Sequence, residues 1–200
     1  MKVAIHQPEH FPYLGFFQKM KYADLFVILD NVQYKKNSWE NRNWFIDENG
    51  NKSFFTVTVE PKAHDKKINE VIVAPEQMWK KKLLTKLMYH YKEDFSVIYE
   101  GEKLVEINLE ALEFCREKLD IKTPMVLASG LNAGGSKSEL LVNILKELNC
   151  SHYISGMGGK DYLDEGLFTH NEIMIEYFEP HIKNFHTILE YIYGFDVLAL

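Results

Sequence analysis

Cysteine, proline and net positive charge are all scarce in this chain of 200 residues. It holds two cysteines, Cys115 and Cys150, far apart in sequence and without CxxC spacing. That pattern excludes a disulfide scaffold and a cysteine metal knuckle, and leaves two reduced core thiols as the expectation. Lysine and arginine number 23 against 29 aspartates and glutamates, a net charge of −6. Such a balance argues against a broad phosphate-tracking surface for DNA or RNA. It still leaves room for a local basic pocket holding one small anion. No apolar run approaches the roughly 18–20 residues that span a bilayer. Lys2 is followed by only a few apolar residues before His6, which is not a secretory leader. A cytoplasmic protein without membrane insertion is the expectation, with no nucleic-acid partner.

Aromatic side chains are plentiful, with 13 Phe, 11 Tyr and 3 Trp. They promise a large apolar payload and stacking surfaces. The length suits one well-buried core, so residues 1–200 are expected to form a single domain. Short apolar runs alternate with helical patterns. Residues 3–5, 25–29, 125–128, 152–154 and 173–178 read as strands. Several lack polar alternation, as expected of strands covered on both faces. Residues 78–91 and 102–119 read as helices, with apolar positions three and four apart, and 15–23 and 187–193 as a short first helix and a closing one. Ser136 with Glu139 has the spacing of a capping box, opening a further helix to about Leu148. Asp47-Glu48-Asn49-Gly50-Asn51 is a turn signal joining residues 44–46 and 53–59 into a hairpin. The charged segment 60–69, with Pro61, reads as a loop. The sum is an α/β protein: a Rossmann-like, mainly parallel sheet with helices on both faces and an inserted β-hairpin.

Four strand exits carry chemistry-bearing sequence. The first strand ends in His6-Gln7-Pro8-Glu9-His10, with Pro12 and Gly15 just beyond. An imidazole there suits general acid–base work, and Gly15 lets a helix start close to the sheet with its free amides facing a phosphate. An ordered loop with no ligand explains the same residues. The second exit is Asp30, followed by Gln33, Tyr34, Asn41, Arg42 and Asn43. Amides and a planar guanidinium of this kind recognise carboxylate or phosphate, although a solvated hairpin loop is the plain alternative. The third is Ser155-Gly156-Met157-Gly158-Gly159-Lys160-Asp161-Tyr162, whose glycines permit close backbone approach to a ligand or simply make a tight turn. It matches neither GxxxxGK[ST] nor GxGxxG. A weaker fourth runs from Ser129 through Gly134, Gly135 and Ser136 to Lys137. In a parallel sheet such exits share one edge, where ligands of open α/β folds bind.

The stretch VAIHQPEHFPYLGFFQKMKYADLFVILDNVQYKKNSWENRN resembles the start of the WbqC-like family, and NCSHYISGMGGKDYLDEGLF resembles a later part of it. The positions carried over are His6, Gln7, Pro8, Pro12, Gly15, Asp30, Gln33, Asn41, Arg42, Ser155, Gly156, Gly158, Gly159 and Tyr162. His10 stands where relatives often have an aromatic, and residues 185–200 resemble the closing segment only weakly. The family is bacterial and archaeal and is often encoded among genes for O-antigen and other surface polysaccharides. Its members mostly have no assigned reaction; the strand exits and the gene setting together lead to the expectation of a transferase in surface-polysaccharide biosynthesis that takes a phosphate-bearing donor, a nucleotide or nucleotide sugar, by nucleotidyl or by acyl or aminoacyl transfer. His6, Asp30 and Arg42 are then the expected catalytic residues. Gln7, His10, Gly15, Gln33, Tyr34, Asn41, Ser155, Gly156, Gly158, Gly159, Lys160 and Tyr162 would bind substrate. Tyr13, Tyr34 and Trp39 offer stacking faces for a sugar or base. No protein metal cage is expected; a nucleotide with Mg²⁺ bridged by its phosphates beside Asp30 is compatible. A non-catalytic protein binding a sugar nucleotide or a partner enzyme of the same pathway fits the same residues. A more distant likeness is to nucleotidyltransferases of the pantothenate-synthetase type. Their HxGH is missing, with Pro12-Tyr13-Leu14-Gly15 in its place.

Overall fold

The computed structural model describes residues 1–182 and 184–195. In chain order its strands are β1 (Lys2–His6), β2 (Leu25–Ile28), β3 (Arg42–Ile46), β4 (Lys52–Thr56), β5 (Met125–Leu127), β6 (His152–Gly156) and β7 (Met174–Phe178). The helices are α1 (Leu14–Tyr22), α2 (Gln77–Tyr91), α3 (Leu104–Lys118), α4 (Lys137–Glu147), α5 (Glu165–His170) and α6 (Ile188–Ile192). The chain divides into two compact units: residues 1–7, 15–30 and 121–181 form the first, and 8–14, 31–120 and 182–200 the second. Residues 196–200, the end of the weakly matching closing segment, lie outside the described residues.

The first unit is a five-stranded sheet in the order β5-β2-β1-β6-β7, every pair parallel. Val3 and Ala4 on β1, and Phe26, Val27 and Ile28 on β2, are fully buried. Parallel strands are joined by crossovers that cover them, so their residues read as unbroken apolar runs. Helix α1 buries Phe16, Phe17 and Met20 completely, and the Phe16 ring meets Phe26 of β2 at 5.0 Å. The order is that of a doubly wound sheet: connections from β1 first build outward through β2 and β5, then return to the other side of β1 with β6 and β7. The direction therefore reverses between β1 and β6.

Beyond β2, Asp30 is 1% exposed and joins two strand exits. Its Oδ1 accepts the Ser129 backbone N–H at 2.9 Å and its Oδ2 accepts the Ser129 hydroxyl at 2.6 Å. Ser129 sits in the 3-10 turn that follows β5. One carboxylate thus ties the ends of adjacent strands by charge-assisted bonds.

The second unit contains the antiparallel β3–β4 hairpin and the longer helices α2 and α3. Its core is aromatic. Phe11 meets Phe95 at 5.7 Å edge-on, and Phe95 meets Phe114 at 5.5 Å. Phe11 adopts a left-handed backbone, φ 46°, which is strained for a residue with a Cβ. Two buried side chains hold it there: Asn43 Nδ2 donates to the Phe11 carbonyl at 2.7 Å, and Thr187 Oγ1 donates to the same oxygen at 2.9 Å.

Three local expectations are corrected. Ser136 does precede α4, but its side chain makes no cap hydrogen bond. Lys137 takes a left-handed φ of 51°, and the Glu139 side chain folds back over Gly135, so the reciprocal box cannot form. The second hairpin strand ends at Thr56 rather than at Val59: Val57 N–H still bonds the Asn41 carbonyl in register, but the Asn41 N–H turns back to the Ser38 carbonyl, and Val59 bridges to Val73. The segment read as a loop after Glu60 contains two 3-10 turns, Ala63–Asp65 and Ile68–Glu70. They are bonded to the neighbouring chain through Ile68 N–H to Val32 O and Tyr34 N–H to Lys66 O.

Removing the Asp30 carboxylate breaks two charge-assisted bonds between a buried acceptor and the exposed Ser129. Asp30→Ala is expected to lower unfolding free energy by about 2–3 kcal/mol, and Ser129→Ala by about half that, in urea denaturation followed by circular dichroism.

Candidate functional site at the carboxyl edge of the parallel sheet

Strand register decides which residues meet at the sheet edge. His6 of β1 pairs with Ile28 of β2, and Asp30 follows two residues later. On the other side Ala4 pairs with Ile154 of β6, so two residues onward His6 lies level with Gly156. His6, Gln7, Asp30, Ser155, Gly156, Gly158, Gly159, Lys160 and Tyr162 therefore belong to one edge of the first unit, where the sheet order reverses. Gly15, in the first turn of α1, belongs to the same unit.

His6 is partly buried, with its ring edge-on to Phe16 at 4.8 Å. Its Nδ1 lies 3.0 Å from the Gln7 carbonyl oxygen. A carbonyl only accepts, so Nδ1 carries the proton and Nε2 is the basic nitrogen. Burial, and next the Lys19 ammonium, hold the imidazole at about 3, well below its ordinary 6.5. The ring is neutral throughout the physiological range. Lys19 is only 4% exposed. The sequence reading passed over it, although it stands three residues after Phe16 and one before Met20, on the apolar stripe of α1. A lysine on that stripe was the signal.

The turn after β6 is a 3-10 helix, Met157–Asp161. Its glycines differ in what requires them. At Gly159 an added Cβ would fall 2.2 Å from Ser155 Oγ and 3.0 Å from Leu163 Cδ1, so tight packing against the end of β6 explains that residue. At Gly156 and Gly158 an added Cβ would meet nothing within 4 Å, and neither has a positive φ. Neither backbone conformation nor any neighbour in the chain calls for glycine there. Ser155 is buried and its hydroxyl donates to the Gly156 carbonyl at 3.1 Å. Lys160 lies with its ammonium 5.1 Å from the centre of the Tyr177 ring, whose hydroxyl donates to Glu165 at 2.5 Å. Tyr162 is 70% exposed.

The other sequence-selected residues belong to the second unit. His10 is fully buried, edge-on to Phe11 and Phe55, with Nε2 at 3.0 Å from the Tyr99 hydroxyl. Desolvation holds it at about 3, opposed by the Asn108 side chain. Gln33 donates from Nε2 to the His64 carbonyl at 2.9 Å. Tyr34 is 2% exposed, and burial followed by the Glu40 charge raises its phenol to about 12. Asn41 donates to the Val57 carbonyl at 3.1 Å. The Arg42 guanidinium lies 5.0 Å from the centre of the Phe54 ring. Glu40, which the sequence reading did not select, is 2% exposed and is raised by burial to about 7, although its Oε2 accepts the Lys35 backbone N–H at 2.8 Å. Nothing in its sequence surroundings marks it as buried. Among the described residues no three His, Cys, Asp or Glu side chains gather to hold a metal ion, and no helix is long and apolar enough to cross a membrane.

A parallel, doubly wound sheet with a neutral histidine and an open glycine turn at its reversal point defines the chain as an α/β protein. The comparisons with known proteins are more particular. The model of the WbqC-like protein family matches residues 7–191, so the chain belongs to that family. It is 28% identical over 191 residues to the Mycobacterium tuberculosis protein described as "Uncharacterized protein Rv1507c", covering 89% of this chain and 82% of that relative. No solved structure matches.

The buried imidazoles make stability depend on pH with a definite sign. For His6 and His10 the folded value, about 3, lies below the ordinary 6.5, so the unfolded chain binds more protons between them. Stability from this source is complete above pH 6.5 and is lost as pH falls towards 3. Glu40 acts oppositely: its contribution is complete below pH 4.5 and is lost as pH rises through about 7. His10→Phe is expected to flatten the acid slope by about one proton, about 1.4 kcal/mol per pH unit, in chemical denaturation between pH 4 and 6. An unchanged slope would show that His10 titrates normally.

Proposed function

We propose that the protein is a transferase whose phosphate-bearing donor, a nucleotide or nucleotide sugar, lies at the carboxyl edge of the first unit's sheet, against Gly156 and Gly158. The observation that carries this reading is the openness of those two glycines. Gly158 leaves main chain exposed at the reversal point, and Gly156, the last residue of β6, places no side chain beside it. Exposed amides at such a point suit phosphate oxygens, which need close backbone approach. The neutral His6 is the acid–base group. Its Nε2 takes the proton from an acceptor hydroxyl or amine as that oxygen or nitrogen attacks the donor, and Gln7 holds the ring through Nδ1. Held at about 3 the ring is a weak base in the free protein, so the negative charge of the bound donor has to raise it for this step. Lys19 adds positive charge beneath the edge and keeps the ring neutral between turnovers. Membership of a family encoded among surface-polysaccharide genes favours a nucleotide sugar as the donor.

A thermal-shift panel of nucleotides and nucleotide sugars tests the donor. At least one phosphate-bearing ligand is expected to raise the melting temperature, and a flat panel would remove the proposal. Gly158→Val is expected to weaken that ligand by about tenfold, while the melting temperature of the free protein stays unchanged. With a substrate pair in hand, His6→Ala is expected to lower turnover by about 10²–10³-fold with donor affinity retained. A change in affinity alone would instead identify a non-catalytic binder.

A further inference from the structure

The second unit carries a cavity of about 960 Å³ between the β3–β4 hairpin and α2. It is built from two kinds of surface. One is aromatic: the Phe45 and His90 rings stack at 3.9 Å and 19°, and His90 stacks on Phe195 at 4.7 Å and 19°. His90 covers one face of Phe195, yet Phe195 is 54% exposed, so its remaining surface faces solvent. Tyr89 and Met78, both 63% exposed, extend the same lining. The other surface is cationic. Lys81, Lys82, Lys86 and Lys92 line the cavity against two carboxylates, Asp47 and Glu48.

Those charges are not equivalent. Asp47 Oδ1 accepts the backbone N–H groups of Asn49 and Asn51 and holds the hairpin turn. Glu48 accepts the Tyr89 hydroxyl at 3.3 Å. Lys86 donates to the Phe54 carbonyl at 2.6 Å and Lys92 to the Tyr89 carbonyl at 2.5 Å. Lys81 and Lys82 have no hydrogen-bond or ion-pair partner among the described residues. Two unengaged ammonium groups therefore flank exposed ring faces, on a protein whose net charge is −6.

We propose that this groove is a second ligand site and takes an aromatic anion, a planar ring bearing a phosphate or carboxylate. The ring stacks on the exposed aromatic lining and the anion meets Lys81 and Lys82. Stacking alone is weak in water, and so is one exposed ion pair. Their combination within one cavity gives selectivity for molecules carrying both parts. The groove lies wholly within the second unit and is independent of the donor reading for the sheet edge.

Residue-resolved NMR of the full chain separates the parts, with phenyl phosphate, inorganic phosphate and benzyl alcohol as probes. Phenyl phosphate is expected to shift amides of α2 and β3 in a saturable titration, with the other two binding at least about tenfold more weakly. Lys81→Ala combined with Lys82→Ala should weaken phenyl phosphate by about fivefold or more, and 0.5 M salt should do the same. Both lysines are exposed, so the double variant keeps its fold, which its amide spectrum verifies. Phe195→Ala should weaken phenyl phosphate while leaving inorganic phosphate unchanged. Equal binding of phenyl and inorganic phosphate, or an unaltered affinity in the double lysine variant, would overturn the proposal. Shifts confined to β1, β6 and the turn after β6 would also overturn it, since they would place the probe at the sheet edge.

Discussion

The main chain of β1 is the rail on which the first unit is laid out. It hydrogen-bonds to β2 on one side and β6 on the other, and no other strand has both neighbours drawn from opposite directions of the winding. Its central residues, Val3 and Ala4, are wholly buried, so a slip in register would turn apolar side chains out of the core. That rigidity places His6 beside Ile28 and level with Gly156. The strand therefore positions an imidazole more precisely than a free loop would.

Burial governs the chemistry of the ionisable groups that follow. His6 and His10 are both held neutral, but for different ends. His6 is tied through Nδ1 to a backbone carbonyl at the end of a strand, with the lysine of α1 acting on it. His10 is enclosed by phenylalanine rings and bonded to Tyr99, and packs as one more aromatic. Asp30 likewise binds Ser129 with both carboxylate oxygens and joins two strand ends. The same side chain can stand at a sheet edge or inside a core; its partners distinguish the two.

Much of the first unit was legible in the sequence because parallel strands announce themselves as short apolar runs. Residues 25–29 and 152–154 are examples, and both became inner strands of the sheet. Less legible was anything set by partners distant in sequence. Ser136 and Glu139 have the right spacing for a capping box, but Glu139 is drawn over Gly135 instead. Phe11 would not be expected at a positive φ, and only Asn43 and Thr187 explain it. Lys19 could have been recognised from its helical position, whereas the burial of Glu40 could not. The cavity beside α2 was invisible for the same reason: the helical pattern of 78–91 does not show that the hairpin and Phe195 supply an aromatic side.

The sequence by itself determined the class of fold and the family, since apolar periodicity and two long motifs are properties of neighbouring residues. It also determined that Gly156 and Gly158 would lie at a strand's exit, where the structure ends β6 on Gly156. Only the tertiary structure decided which glycine the fold requires, which histidine belongs to a core and which stands at an edge. Those distinctions depend on what surrounds a side chain in space, and space brings together residues that the chain holds far apart.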